Sequence, residues 1–215
     1  MPHLALWAGL GMNRVQEAPF KIPGVRITWL MPEPPAAHET REAWIKRLAE
    51  LVPPDVDFIG GFSLGGMLAQ EQIASLPRCR GLLLLSYAAN RNFWRKYLRL
   101  AASSGILHAL LLIPSGILLP MAMGFMKLFG RNTRITMRVA LAEWTPAETR
   151  KVLCYLLQVK TKKLTVPILQ LIGTEDPWLK PGAGSVAVAG AGHFFFPKYR
   201  EEVSGKVSLW IKSLV

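Results

Sequence analysis

The piece Gly61-Phe62-Ser63-Leu64-Gly65 has the residue types that make a serine hydroxyl a nucleophile. It lies between an apolar run, Val56–Gly60, and a helical pattern that spans Gly65–Leu76 and stops at Pro77. A serine on a tight strand-to-helix turn is held in a strained backbone conformation. Glycines two before and two after it remove the side chains that would collide there. The helix N-terminus that follows offers a positive dipole end and free amides to negative charge developing on an acyl oxygen. As a bare pattern, G-x-S-x-G arises by chance in about one chain in ten at ordinary glycine and serine frequencies. Its place between strand and helix is what gives it meaning; the competing reading is a glycine-rich turn that serves only helix–strand packing.

Such a serine needs a base, and the base needs an acid to orient it. The apolar run Ile168–Ile172 is followed by Gly173-Thr174-Glu175-Asp176-Pro177, and the run Ser185–Ala189 by Gly190-Ala191-Gly192-His193. Ser63, Asp176 and His193 therefore each follow a strand end, in that chain order. The C-terminal ends of parallel strands share one edge of a sheet, and active sites of open α/β sheets form on that edge. Asp176 is the expected acid, with the adjacent Glu175 as the alternative. His3 and His38 read as solvated and His108 as structural. The four histidines have no ligand spacing, and Cys79 and Cys154 form neither a CxxC pair nor a disulfide framework, so no metal or other cofactor is expected.

The elements that must hold these residues are legible as short apolar runs bounded by glycine or proline. Candidate strands are His3–Trp7, Val25–Leu30, Val56–Gly60, Leu82–Tyr87, Ile168–Ile172 and Ser185–Ala189. They lack strict polar alternation, as parallel strands covered on both faces do. Glu39–Val52 places Trp44, Ile45, Leu48, Leu51 and Val52 on one helical face. Val203, Val207, Trp210, Ile211 and Leu214 repeat at helical spacing despite Gly205. Strands alternating with helices predict an α/β fold with a doubly wound, mostly parallel sheet. The 215 residues are 51% apolar and 19% charged, which excludes disorder and suits one such domain with an insertion.

The insertion is residues 89–163, which separate two predicted strands by far more than the dozen or so residues a crossover needs. Within it, Thr145-Pro146-Ala147-Glu148 is a capping box with proline at the first helical position, opening a helix to about Val159. The predicted organisation is a core of residues 1–88 and 164–215 with a helical cap at 89–163. From Leu100 to Met126 no side chain is charged, long enough to span a bilayer on hydropathy alone. Pro114, Pro120, Gly105, Gly116 and Gly124 break it, and short lid helices fit better. Met121, Met123, Phe125, Met126 and Phe129 could line an acyl pocket, although helix-face core is the commoner use of such residues.

The same segment holds the charge. Of 26 basic residues, 13 lie in residues 91–163 beside only Glu143 and Glu148, a net of +11 within a total of +12. Because these charges flank an apolar stretch, no nucleic-acid partner is expected. An acidic carrier protein or an anionic membrane surface is the better match. The N-terminus lacks a charged n-region and a cleavage pattern, so a cytoplasmic location is expected.

The motifs GFSLGG at 61–66, GTED at 173–176 and GAGH at 190–193 resemble those of the α/β-hydrolase superfamily, in particular its small capped esterase-like members. The likeness runs along nearly the whole chain. Trp7-Ala8-Gly9-Leu10-Gly11 resembles that family's first oxyanion loop. The resemblance implies that the backbone amides of Leu10 and Leu64 form an oxyanion hole and that the insertion selects substrate. It also implies a sheet shortened at the N-terminus, since two strands that usually open it are missing. Ala8 stands where many members have histidine. The expectation is a serine hydrolase for a small ester or thioester with an apolar acyl portion. Alternatives are a non-catalytic binding protein of the same fold, and haloperoxidase-like or lyase chemistry on the same three residues.

Overall fold

In a computed structural model that describes residues 1–10, 12, 20–106, 109, 112–114, 117, 144–158, 164–195 and 198–215, six parallel strands form one sheet. The elements are β1 (His3–Trp7), β2 (Arg26–Leu30), α1 (Arg41–Ala49), β3 (Phe58–Phe62) and α2 (Leu64–Gln72). They continue with β4 (Gly81–Leu85), α3 (Lys96–Ser103), α4 (Pro146–Leu157), β5 (Ile168–Gly173), β6 (Val186–Val188) and α5 (Arg200–Lys212). The strand order is β2-β1-β3-β4-β5-β6. From β1 the chain winds outward to β2, returns to β3 on the other side of β1, and then winds the opposite way. The β1–β3 boundary is the switch point at whose strand ends such sheets place ligands.

Both faces are covered, which is why the strands read as continuous apolar runs. Ala5 and Trp7 of β1, Ile59 of β3 and Leu82 and Leu84 of β4 pack on one face. Trp44 and Leu48 of α1, Met67 and Leu68 of α2, and Val152 and Tyr155 of α4 cover them. Their alternating neighbours Leu4, Leu6, Phe58, Phe62, Leu83 and Leu85 face the other side, under Val203, Val207 and Ile211 of α5. The capping box forms as predicted: the Thr145 hydroxyl accepts from the Glu148 amide, and the Glu148 carboxylate accepts from the Thr145 amide.

Several sequence expectations need correction. β3 spans Phe58–Phe62 rather than Val56–Gly60, because Gly61 and Phe62 still pair with Leu84 and Leu85 of β4. β2 starts at Arg26 rather than Val25, and β6 is trimmed at both ends to Val186–Val188. β4 ends at Leu85 rather than Tyr87, because Ser86 turns to a φ of 47°. The predicted helix Gly65–Leu76 starts at Leu64 and ends at Gln72 in a 3-10 turn, Ile73–Ser75. α1 is confined to Arg41–Ala49 by its Thr40 N-cap, and Leu51 beyond it is exposed rather than on the buried face. His3 is buried, not solvated: its ring meets Thr28 Oγ1 at 2.8 Å and Asp55 Oδ1 at 3.1 Å. Among the described residues no helix is long and apolar enough to cross a membrane. His108 and the Met121–Phe129 cluster lie outside the described residues.

Gly205 stands in the middle of α5, and a Cβ built there meets nothing within 4 Å. A glycine inside a helix costs about 0.5–1 kcal/mol relative to alanine through lost backbone freedom. Gly205→Ala should therefore raise the free energy of unfolding by about 0.5–1 kcal/mol, read from the urea midpoint.

Candidate active site

Ser63 is the residue between β3 and α2, with φ 50° and ψ −110°. A non-glycine residue in that region stores about 1–3 kcal/mol of strain and persists only where its surroundings fix it. Here they do. A Cβ on Gly61 would fall 2.1 Å from the Gly65 carbonyl carbon, and one on Gly65 would fall 2.1 Å from the Trp7 carbonyl oxygen. The turn is therefore packed against itself and against the end of β1, and only glycine fits at either place. The Ser63 amide continues the ladder by donating to the Leu85 carbonyl at 2.8 Å. Ser63 itself is half-buried, at the C-terminal edge of the sheet.

The three residues singled out at strand ends meet there. His193 Nε2 lies 3.0 Å from Ser63 Oγ, and His193 Nδ1 lies 2.7 Å from Asp176 Oδ2. The second carboxylate oxygen, Oδ1, accepts from the amides of Trp178 (2.8 Å) and Leu179 (3.0 Å). Asp176 is wholly buried and His193 is 5% exposed. An ionised carboxylate only accepts, so Nδ1 must carry the proton it donates, and the Nε2 lone pair then faces the Ser63 hydroxyl. A carboxylate buried without hydrogen bonds would be very costly; three N–H donors offset that cost. Glu175 is exposed on the same turn and is not the carboxylate that meets His193.

Leu64 opens α2, so its amide is one of those that helix geometry leaves without an intrahelical acceptor. Leu10 lies in the turn after β1, closed by the Met12 amide donating to the Gly9 carbonyl at 3.1 Å. That turn abuts the serine: a Cβ on Gly9 would fall 2.9 Å from the Phe62 ring and 3.1 Å from the Phe62 carbonyl oxygen. Both amides named in the sequence analysis thus belong to segments that border Ser63. Among the described residues no cluster of histidine, cysteine and carboxylate side chains has the makings of a metal site.

Sequence reasoning missed three features. The first is an aromatic surround of the imidazole: Trp178 at 4.4 Å, Phe194 at 5.1 Å and Phe62 at 5.7 Å between ring centroids, all edge-on. Trp178 and Phe194 are partly exposed and form an apolar wall beside the base. Their signal was present, since they directly follow the acid and base turns. The second is a clasp between residues 93–97 and the acid turn. Arg95 Nε donates to the Asp176 carbonyl (2.6 Å), the Arg95 amide to the Trp178 carbonyl (3.0 Å), and the Lys180 amide to the Phe93 carbonyl (2.8 Å). The Tyr97 hydroxyl donates to the Pro177 carbonyl. The third is Ser86, whose buried hydroxyl donates to the His193 carbonyl at 2.5 Å. Its only trace in the sequence is a polar residue closing the run Gly81–Leu85.

The family model described as "Alpha/beta hydrolase family" matches residues 7–205. No curated protein matches the chain in sequence. Among solved structures, a provisionally assigned aryl esterase from Burkholderia cenocepacia is 15% identical with a TM-score of 0.70, over 99% of this chain and 90% of that one. A provisionally assigned lipase from Acinetobacter baumannii is 16% identical with a TM-score of 0.66, over 99% and 84%. The N-acyl homoserine lactonase AidH, complexed with N-butanoyl homoserine, is 16% identical with a TM-score of 0.62, over 100% and 90%. At these identities the similarity is one of fold.

Adding one methyl group at residue 65 tests the packing of the serine turn. Gly65→Ala places a carbon against the Trp7 and Ala8 carbonyls, neither of which can rotate away. Overpacking of this kind costs about 1–3 kcal/mol or more, so the urea midpoint should drop markedly. An unchanged midpoint would show that β1 and the turn can separate.

Proposed function

The chain belongs to the alpha/beta hydrolase family, and from that membership we propose that it is a serine hydrolase for a small carboxylic ester or thioester with an apolar acyl portion. The observation that carries this reading is the hydrogen-bonded line Ser63–His193–Asp176, with separations of 3.0 and 2.7 Å. In the proposed mechanism Ser63 Oγ attacks the acyl carbonyl carbon while His193 Nε2 takes its proton. The resulting imidazolium is stabilised by Asp176, which also fixes the tautomer. The amides of Leu10 and Leu64 receive the oxyanion of the tetrahedral intermediate, aided by the positive end of α2. His193 gives its proton to the leaving alcohol or thiol, and the carbonyl re-forms as an acyl-enzyme. Water, deprotonated by His193, then attacks the acyl-enzyme and releases the acid. Trp178 and Phe194 supply apolar surface next to the reacting carbonyl, which supports an apolar acyl group. Residues 89–163 act as the cap that selects it.

A second reading concerns the partner that presents the substrate. Leu100 and Leu112 are 59% and 76% exposed, and Arg91, Lys96 and Arg99 are exposed close to Leu100 in sequence. Apolar side chains standing out of a cationic segment favour an ester held at an anionic membrane surface, or on an acidic carrier protein.

A fluorophosphonate probe tests the reaction directly. The wild-type protein should label, Ser63→Ala should not, and Asp176→Asn should label roughly 10³–10⁴-fold more slowly, because the wrong imidazole tautomer then faces Ser63. A folded wild type that fails to label would return the chain to the non-catalytic reading. For the partner, rates on esters in anionic vesicles should fall steeply from low to physiological salt, whereas rates on a short soluble ester should not. Equal salt dependence for the two would remove the docking role.

A further inference from the structure

Two non-glycine residues among those described have a positive φ, and they end adjacent central strands: Ser63 after β3 at 50° and Ser86 after β4 at 47°. Glycine reaches such angles freely and an L-residue does so at a steric cost. Ser63 accounts for its strain by presenting a hydroxyl to His193 Nε2. Ser86 calls for an explanation of the same kind, since it is 1% exposed and its hydroxyl cannot meet solvent.

The explanation lies in what its hydroxyl holds. Ser86 Oγ donates to the His193 carbonyl at 2.5 Å, while the Ser86 amide donates to the Leu171 carbonyl of β5 at 2.9 Å. The turn that carries the base, Gly190-Ala191-Gly192-His193, has two glycines, one of them at φ 67°. Its backbone is therefore permissive. It is tied at its beginning: the Gly190 amide donates to Thr174 Oγ1, the Tyr199 hydroxyl to the Gly190 carbonyl, and the Glu175 amide to the Ala191 carbonyl. At His193 itself the main chain is held by Ser86. The histidine is gripped at two points, by its ring between Ser63 and Asp176 and by its carbonyl on Ser86.

We infer that Ser86 is a positioning residue for the base: its left-handed backbone turns the hydroxyl back under His193 and pins the peptide from which the imidazole projects. The inference rests on Ser63 and His193 being the reacting pair. Ser86 touches neither substrate nor transferred proton; it sets where Nε2 stands relative to Ser63 Oγ. A displacement of about 1 Å at a reacting geometry can cost on the order of 100-fold in rate.

Glycine at this position separates the two roles Ser86 could have. Ser86→Gly relieves the backbone and removes the hydroxyl. If Ser86 only shapes the turn, the glycine variant should be at least as stable and label with fluorophosphonate at the wild-type rate. If Ser86 positions His193, it should stay folded, relieved strain offsetting the lost hydrogen bond, yet label about 10- to 100-fold more slowly. The loss should appear in the maximal inactivation rate, with the probe concentration for half-maximal rate unchanged. Ser86→Ala should be slowed likewise, and Ser86→Thr, which keeps the hydroxyl, should recover most of the rate at a lower melting temperature. A glycine variant that labels as fast as wild type overturns the inference and leaves the proposed reaction standing. A folded wild type that does not label overturns both.

Discussion

The constraint on which the rest of this molecule depends is the backbone of Ser63. A residue at φ 50° and ψ −110° between a parallel strand and a helix cannot be held by local bonds alone. It requires Gly61 and Gly65 to approach within distances no Cβ would permit, and it requires β1 directly behind the turn so that Gly65 rests on the Trp7 carbonyl. That requirement puts β1 next to β3 in the sheet although β2 intervenes in the chain, which is the reversal of winding at the switch point. It also fixes the loop after β1, with Leu10, beside the serine. The apolar layers on both faces supply what strain subtracts: β3 and α2 are buried almost throughout.

The second organising feature is the buried carboxylate of Asp176. Removing a charge from water is tolerable only when hydrogen bonds replace those that water made. His193 and the amides of Trp178 and Leu179 supply three, and they dictate the conformation of residues 174–180. The main chain of this turn in turn offers carbonyls outward, and Arg95, Tyr97 and the amides of residues 95 and 180 complete the match with residues 93–97. Residues 93–97, just after β4, are thereby fastened to the acid turn. Helix α4 is fastened elsewhere: the Tyr155 hydroxyl donates to the Glu39 carbonyl at 2.6 Å, and Lys151 to the Ala36 and Ala37 carbonyls. Any selection of substrate by residues 89–163 works from these two fixed ends.

What could be read from the sequence follows the range of the interactions involved. The serine turn is written in five consecutive residues, and the strand periodicity around it follows from burial on two faces, so both were legible. Asp176 and His193 were legible because parallel strands deliver their C-terminal ends to one edge whatever the details of packing. Asp176 was the expected acid but Glu175 stayed open as the alternative, since adjacent residues on a turn differ only in which way it folds. His3 was misread because its partners, Thr28 and Asp55, come from other parts of the chain. Strand ends moved where Gly60, Gly61 and Ser86 depart from what their types favour. Ser86 and Arg95 act on backbone carbonyls 107 and 81 residues away, and contacts of that kind carry no side-chain signature at the receiving end.

The placement of charge has the same logic. Net charge outside residues 91–163 is +1, so the core carries almost none of the excess. The excess of +11 sits in the segment that borders the acid turn through Arg95. That guanidinium donates to the Asp176 and Thr174 carbonyls rather than to a carboxylate. Among the described residues it meets backbone oxygens and no carboxylate, so its charge stands beside the acid turn. A cation spent on backbone oxygens can hold the turn in shape and still attract an anionic surface or leaving group within the roughly 8 Å over which physiological salt leaves such fields effective. Under the reading proposed above, fold and recognition thus share one side chain, and the strength of the second use is set by ionic strength while that of the first is not.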